Sequence, residues 1–144
     1  MHATIISSDL PYVDLEPGSV PSEWLLGGQP GTRSKFLGKT RDQLAVVVLW
    51  ECGAASFKWH YRKDEVLFVL SGEAFILDEK GGERRLGPRD VAFFSAGTDA
   101  TWHIPDHLRK IAVLKTSIWS PLGLFLKAWV KLFEVVGLSG KSGF

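Results

Sequence analysis

Several residue types are scarce in this chain, and each scarcity excludes a class of protein. The single cysteine, Cys52, among 144 residues excludes an internal disulfide and a cysteine-based zinc cluster. The 17 basic and 16 acidic residues nearly balance, and no basic cluster suggests a nucleic-acid partner. No apolar run reaches the roughly 20 residues that span a bilayer, and the first residues lack a signal-peptide pattern. We therefore expect a cytoplasmic protein without an integral membrane segment.

Aromatic residues, in contrast, are abundant. The chain has six Trp, nine Phe and two Tyr, which suits a filled barrel or an aromatic-lined pocket. Its length suits one domain. Prolines and the pair Gly27-Gly28 interrupt residues 1–43, so an irregular arm with edge elements is predicted there. A short extended piece such as Ala3 to Ile6 could add an edge strand.

Short apolar or alternating segments follow one another over residues 44–116. The run from Leu44 to Trp50 is apolar and β-branched, and residues 57–61 alternate aromatic with polar side chains. Further strands are expected at 66–70, 73–77, 84–86, 91–94, 100–104 and 109–115, separated by turn residues such as Gly81-Gly82. This spacing predicts an antiparallel sandwich or barrel.

Residues 117–144 change to a helical pattern. Ser120 and Pro121 can begin a helix that stops at Gly137. Its charged residues form one stripe, at Lys127, Lys131 and Glu134. Nearly every other position is apolar, so we predict that the helix packs on the barrel or on a second subunit. Peripheral membrane attachment is the alternative.

Two stretches resemble the paired signature motifs of the cupin superfamily. In the first, Gly53, Glu65 and Gly72 stand in register with the motif, and the two histidine positions hold Trp59 and Tyr61. The second stretch, residues 86–104, is similar to the motif's turn–strand–turn pattern. There the usual Gly, Pro and His are replaced, by Arg89, Ser95 and Ala100.

Other details resemble one cupin subfamily. They are Trp50-Glu-Cys-Gly, Phe57-x-Trp-x-Tyr61, Asp64-Glu65, Thr101-Trp102 and Arg109-Lys110. Together they look like the small cupins grouped with ureidoglycine aminohydrolase and the ethanolamine-utilisation cupin. The resemblance spans roughly residues 20 to 115 and implies an all-β fold, a single cupin barrel of the jelly-roll type. We expect this barrel over 44–116, after the irregular arm and before the apolar helix. The resemblance does not name a reaction, because one fold hosts many chemistries.

The usual cupin metal site is degenerate in this sequence. Such a metal rests on two or three imidazoles and a carboxylate, and the resemblance leaves Glu65 alone at the ligand positions. Strand alternation turns His60 and His103 to the face opposite Trp59 and Trp102. We therefore expect no tightly bound metal and no cofactor, with a metal-dependent cupin as an alternative.

The residues that alternation turns inward form a different candidate site. They are Trp59, Tyr61, Glu65, Ala100 and Trp102. A glutamate in such a cavity can act as a general acid or base. Equally, Tyr61 and Glu65 could hydrogen-bond each other and plug the barrel. A buried carboxylate needs a partner, and Lys110 is the best cationic candidate, although the pattern leaves its orientation open.

We therefore predict a cupin that binds a small, polar or nitrogenous metabolite. If it is an enzyme, Glu65 transfers the proton, Tyr61 orients Glu65, and Lys110 anchors the substrate. A non-enzymatic module that dimerises or docks through its C-terminal helix is an alternative. We expect a homodimer. Cys52 is interpreted as a small buried apolar residue rather than a nucleophile.

Overall fold

The computed structural model describes residues 5–118 and 120–136. Its strands are β1 (Glu16–Pro17), β2 (Leu25–Gly28), β3 (Arg33–Lys39), β4 (Ala45–His60), β5 (Asp64–Gly72), β6 (Ala74–Asp78), β7 (Glu83–Leu86), β8 (Val91–Phe94) and β9 (Asp99–Lys115), and its helix is α1 (Ser120–Val135). Short 3-10 turns cover Leu10–Tyr12 and Ser22–Trp24. The predicted all-β architecture with a C-terminal helix is confirmed.

Two long strands connect the two halves of the barrel. β4 and β9 pair antiparallel from Ala45 opposite Lys115 to His60 opposite Asp99. The sequence predicted two separate strands in each of these regions. They are continuous because a bulge between Gly53 and Ala55 adds a residue and bends the ribbon without ending it.

The other strands extend this ribbon on both sides. In one half the strand order is β1-β3-β4-β9-β5-β8. In the other half it is β2-β4-β9-β6-β7. All pairings are antiparallel. Buried residues from both halves, among them Leu67 of β5 and Ile76 of β6, form one apolar cluster. The two halves of the barrel therefore share a single core.

The N-terminal region is irregular for much of its length, but it contributes a full strand. β3 pairs with β4, in a region where the sequence predicted an irregular arm with edge elements but placed no strand at these residues. Side chains also tie the arm to the sheet: Arg33 donates to the carbonyl oxygen of Leu15 and Arg109 to that of Leu10. Ile5 and Ile6 lie outside any strand, and Ala3 lies outside the described residues.

Helix α1 begins at Ser120, as the sequence predicted. No described residue of the helix is buried. Large apolar side chains that are about half exposed or more include Leu124, Phe125, Trp129, Val130, Leu132 and Val135. The predicted stop at Gly137 lies outside the described residues. Among these residues, no helix is both long and apolar enough to cross a membrane.

Candidate functional site

One half of the barrel encloses a cavity of about 320 Å³. Six aromatic rings line it, those of Trp24, Trp50, Phe57, Trp59, Tyr61 and Trp102. Aliphatic and polar side chains complete the lining, namely Val48, Ala112, Leu114, His60, Arg62, Lys63, Glu65 and Lys110. Arg62 and Lys63 are exposed, so they mark the mouth of the cavity, whereas Glu65 and Lys110 are buried.

The buried charges form an ion pair inside this cavity. The Nζ atom of Lys110 lies 2.5 Å from Oε1 of Glu65. Only 8% of Lys110 and 3% of Glu65 are exposed to solvent. The ammonium also lies 4.8 Å from the ring centroid of Trp50 and 5.0 Å from that of Trp102. Lys110 therefore points into the barrel, the orientation that the sequence pattern left open.

Tyr61 has a different partner from the one considered in the sequence. The indole N–H of Trp102 donates to the phenol oxygen of Tyr61 at 2.9 Å, and the Tyr61 ring stacks on Phe94 at 4.5 Å between centroids. No hydrogen bond joins this phenol to Glu65 within the described structure. Glu65 instead accepts a hydrogen bond from the Lys110 ammonium. Burial, and secondarily the charge of Glu65, raises the pKa of Tyr61 above its usual value.

Both members of the ion pair retain hydrogen-bonding capacity. Lys110 has three N–H donors and uses one on Glu65. The second carboxylate oxygen of Glu65 has no hydrogen-bond partner among the described residues. Because Glu65 lines the cavity, this oxygen is a candidate acceptor for a hydrogen bond from a molecule bound there.

The remaining sequence-predicted residues divide between the cavity and the core. Trp59 lines the cavity, with its ring 5.0 Å from Trp24 and 5.8 Å from Phe57. Ala100 is buried opposite Trp59 in the ladder, but it lines a second cavity near β6, β7 and β8. That second cavity, of about 580 Å³, has no buried charged side chain. It is therefore the weaker candidate for a specific site.

Sequence reasoning missed several lining residues, of which Trp50 is the most important. Trp50 lies directly opposite Lys110 in the β4–β9 ladder. Simple alternation from Phe57 and Trp59 would place it on the other face. The bulge after Gly53 reverses which residues of β4 face the cavity. In the sequence, only the glycine itself indicated that a bulge could occur there. Trp24 and the mouth residues come from irregular segments that carry no periodic pattern.

The side chains present do not fit a cupin metal. His60 Nδ1 lies 2.6 Å from Asp99 Oδ1, and His103 Nδ1 lies 2.7 Å from Ser56 Oγ. No three His, Cys, Asp or Glu side chains of the described residues come together as a metal site. Glu65 itself is paired with an ammonium, which competes with any metal cation for its oxygens.

Comparison with known proteins identifies the family. The family model of the EutQ-like cupin domain matches residues 39–112, just over half of the chain. The chain therefore belongs to the EutQ-like cupin family, as its motifs indicated. No curated protein matches it significantly.

Solved structures with the same fold include two proteins named EutQ. The chain is 21% identical to the EutQ protein of Clostridium difficile, with 78% of this chain and 88% of that chain covered and a TM-score of 0.60. It is 22% identical to a putative ethanolamine utilization protein of Salmonella typhimurium, covering 61% and 72%, with a TM-score of 0.54.

A protein of unknown function from Pseudomonas syringae pv. tomato shares 18% identity and a TM-score of 0.67. The match covers 72% of this chain but only 45% of that longer one. At such identities these likenesses show the fold alone.

Proposed function

We propose that this protein binds a small molecule in the cavity beside Glu65 and Lys110. The observation that supports it is the buried ion pair. Stability alone gives little reason for such a pair, because apolar residues of similar volume often stabilise a core as well or better. Ligand pockets, in contrast, combine apolar walls with a few convergent polar groups, which is the composition of this cavity.

If the bound molecule is turned over, Glu65 is the group that would move a proton. Glu65 lines the cavity, and as a carboxylate it would act as a general base. Lys110 would anchor the substrate through its unused N–H donors. Tyr61 would serve as a positioning residue, since its phenol holds the Trp102 indole that forms part of the wall.

A thermal-shift screen of small metabolites tests the binding function. Compounds that bind should raise the melting midpoint of the natural protein and fail to raise that of the double variant Glu65→Gln/Lys110→Met. The matched control is Glu73→Gln/Arg85→Met, which removes an exposed ion pair elsewhere on the barrel. A screen without any stabilising compound, or stabilisation equal in all three proteins, would count against the proposal.

The exposed helix favours a second candidate function, that of an interaction module. None of the described residues of α1 is buried, and its apolar side chains are left uncovered by the barrel. In this alternative the helix forms a homodimer by covering the same helix or the barrel of a second copy. Such coverage would remove a large exposed apolar surface from water.

Cutting the chain after Thr116 tests this second function. A full-length dimer that becomes a monomer on truncation, measured by analytical ultracentrifugation, supports an interface role. A full-length monomer contradicts it. Aggregation of the truncated protein would instead indicate that the helix completes the core of its own chain.

A further inference from the structure

We infer that the ligand of this cavity is a small aromatic carboxylate that carries a hydroxyl or amino donor next to its acid group. The inference rests on the proposed binding function and adds the chemical class of the ligand. Three features of the cavity support it: the balance of charge, the position of the Lys110 ammonium, and the hydrogen-bonding groups that the ion pair leaves free.

The charged side chains around the cavity favour an anion. Arg62, Lys63 and Lys110 carry three positive charges, and Glu65 carries one negative charge, which leaves a surplus of two. Two of the cations are at the mouth and one is at the buried end. A cleft with low-dielectric walls and charges of one sign attracts ligands of the opposite sign.

A cationic ligand, in contrast, would compete with Lys110 for the same aromatic rings and the same carboxylate. Aromatic pockets bind ligand cations over the faces of their rings. Here the ammonium of Lys110 already lies over Trp50 and Trp102, at 4.8 and 5.0 Å from their centroids, and it neutralises Glu65. A second cation at these rings would be repelled by Lys110, so the cavity excludes alkylammonium and quaternary ammonium ions.

The free groups of the ion pair define what a ligand must present. The unused N–H donors of Lys110 suit a carboxylate oxygen. The free oxygen of Glu65 accepts a hydrogen bond and would repel an anion that offered no donor. A hydroxyl or amino group adjacent to the carboxylate satisfies both requirements at once, with the acid on Lys110 and the donor on Glu65.

The walls and the volume define the body of the ligand. Trp24 and Trp59 line the cavity and are only partly buried, so their rings offer surface against which a flat aromatic molecule can pack. A cavity of about 320 Å³ lies at the lower end of the range for small-molecule sites, about 300–1,000 Å³. It therefore suits one ring or a fused pair rather than a long chain.

Isothermal titration calorimetry with four matched probes tests the ligand class. The probes are salicylate, benzoate, benzyl alcohol and benzylammonium, which share a ring and differ in charge and donor. We expect salicylate to bind best, benzoate to bind about tenfold more weakly for lack of the donor, and the other two to bind more weakly still. Salicylate affinity should fall at least about tenfold in Glu65→Gln/Lys110→Met and remain unchanged in Glu73→Gln/Arg85→Met.

The outcomes separate this inference from the proposed function. Preference for benzylammonium or benzyl alcohol would overturn the ligand class and leave binding in the cavity intact. Failure of all four probes, with stabilising compounds still found in the metabolite screen, would also overturn the class alone. Failure of both experiments would overturn the binding function itself. Salicylate binding that survives the double variant would place the anion elsewhere and overturn the inference.

Discussion

Glu65 and Lys110 each depend on the other for their burial. Moving one charge out of water costs several kcal/mol, and only a close partner of opposite sign offsets that cost. The two groups meet at 2.5 Å with less than a tenth of either residue exposed. A change at either position therefore affects both folding and the cavity, and single variants cannot separate the two effects.

A double-mutant cycle measures this dependence. We expect Lys110→Met to lower the free energy of unfolding by about 3–5 kcal/mol, because Glu65 is left as an unpaired buried charge. Adding Glu65→Gln should restore part of the loss, so the two changes are strongly non-additive in urea unfolding. At the exposed Arg85–Glu73 pair, Glu73→Gln should cost less than about 1 kcal/mol. Simple additivity at the buried pair would contradict its coupling.

The buried phenol of Tyr61 predicts a loss of stability in alkali. Its pKa is raised in the folded state, first by burial and then by Glu65, so the phenol stabilises the fold fully below its ordinary pKa of 10.0. Above that value the unfolded chain loses a proton that the folded chain keeps. The free energy of unfolding should then fall by up to about 1.4 kcal/mol per pH unit.

Tyr61→Phe isolates the contribution of the phenol when it is made in a Cys52→Ala background. Cys52→Ala removes a thiol whose pKa is also raised, to about 12, by burial. Urea unfolding of Cys52→Ala and of Cys52→Ala/Tyr61→Phe is compared from about pH 8 to 11, on either side of the ordinary phenol pKa. The decline at the alkaline end should be shallower without the phenol, and an identical decline would show that Tyr61 is not desolvated.

Individual site residues differ in how far the sequence could predict them. Alternation within residues 57–61 turned Trp59 and Tyr61 toward the cavity, which both line, and the cupin motif pointed to Glu65. The same alternation turned His60 away, although His60 also contributes to the lining. The partner of Glu65 could not be fixed, because a strand lysine such as Lys110 looks alike in the sequence whether it faces inward or outward. Because Glu65 is buried against Lys110, we expect Glu65→Gln to change the melting midpoint as well as the site.

Glycines with a positive φ lie at strand ends and turns of this barrel, and they differ in the space around them. Gly72 ends β5 with a φ of +80°, and a Cβ there would overlap the carbonyl oxygen of His107. Gly97 has a similar φ of +84°, but no described atom lies within 4 Å of the point that a Cβ would occupy. The two positions share one backbone conformation and differ only in the space available.

Alanine at these two glycines should separate conformational strain from steric overlap. Gly97→Ala is expected to cost about 1 kcal/mol, the strain of a positive φ. Gly72→Ala adds a clash with rigid backbone at the β5–β9 pairing, and we expect a loss of more than about 3 kcal/mol or failure to fold. Urea unfolding followed by circular dichroism measures both. Equal losses would mean that β9 yields easily near His107.

The sequence predicted the short strands better than the long ones. Turn residues and alternation located most of the short strands. The continuity of β4 and β9 was hidden, because Gly53 looks like a strand end in the sequence and is a bulge in the barrel. β3 was missed because only the two-residue β1 lies beyond it in the sheet and none of its residues is buried, so burial imposes no apolar pattern.

Cys52 belongs to the single apolar core of the barrel, so its reactivity can report on the unfolding of that core. Its thiol is 3% exposed, and burial raises its pKa to about 12. Near neutral pH we expect almost no reaction with a thiol reagent in the folded state. Labelling in urea should follow the same transition as tryptophan fluorescence. Labelling well before that transition would reveal a local opening of β4.

The unbroken β4–β9 ribbon limits how anything can reach the interior. Both strands pass through the two halves of the barrel and hydrogen-bond along nearly their full length. The halves therefore cannot swing apart as a clamshell would without breaking that ladder. If a ligand binds in the cavity as proposed, we expect it to enter and leave by rotation of side chains at the opening, such as Arg62, without a hinge motion of the backbone.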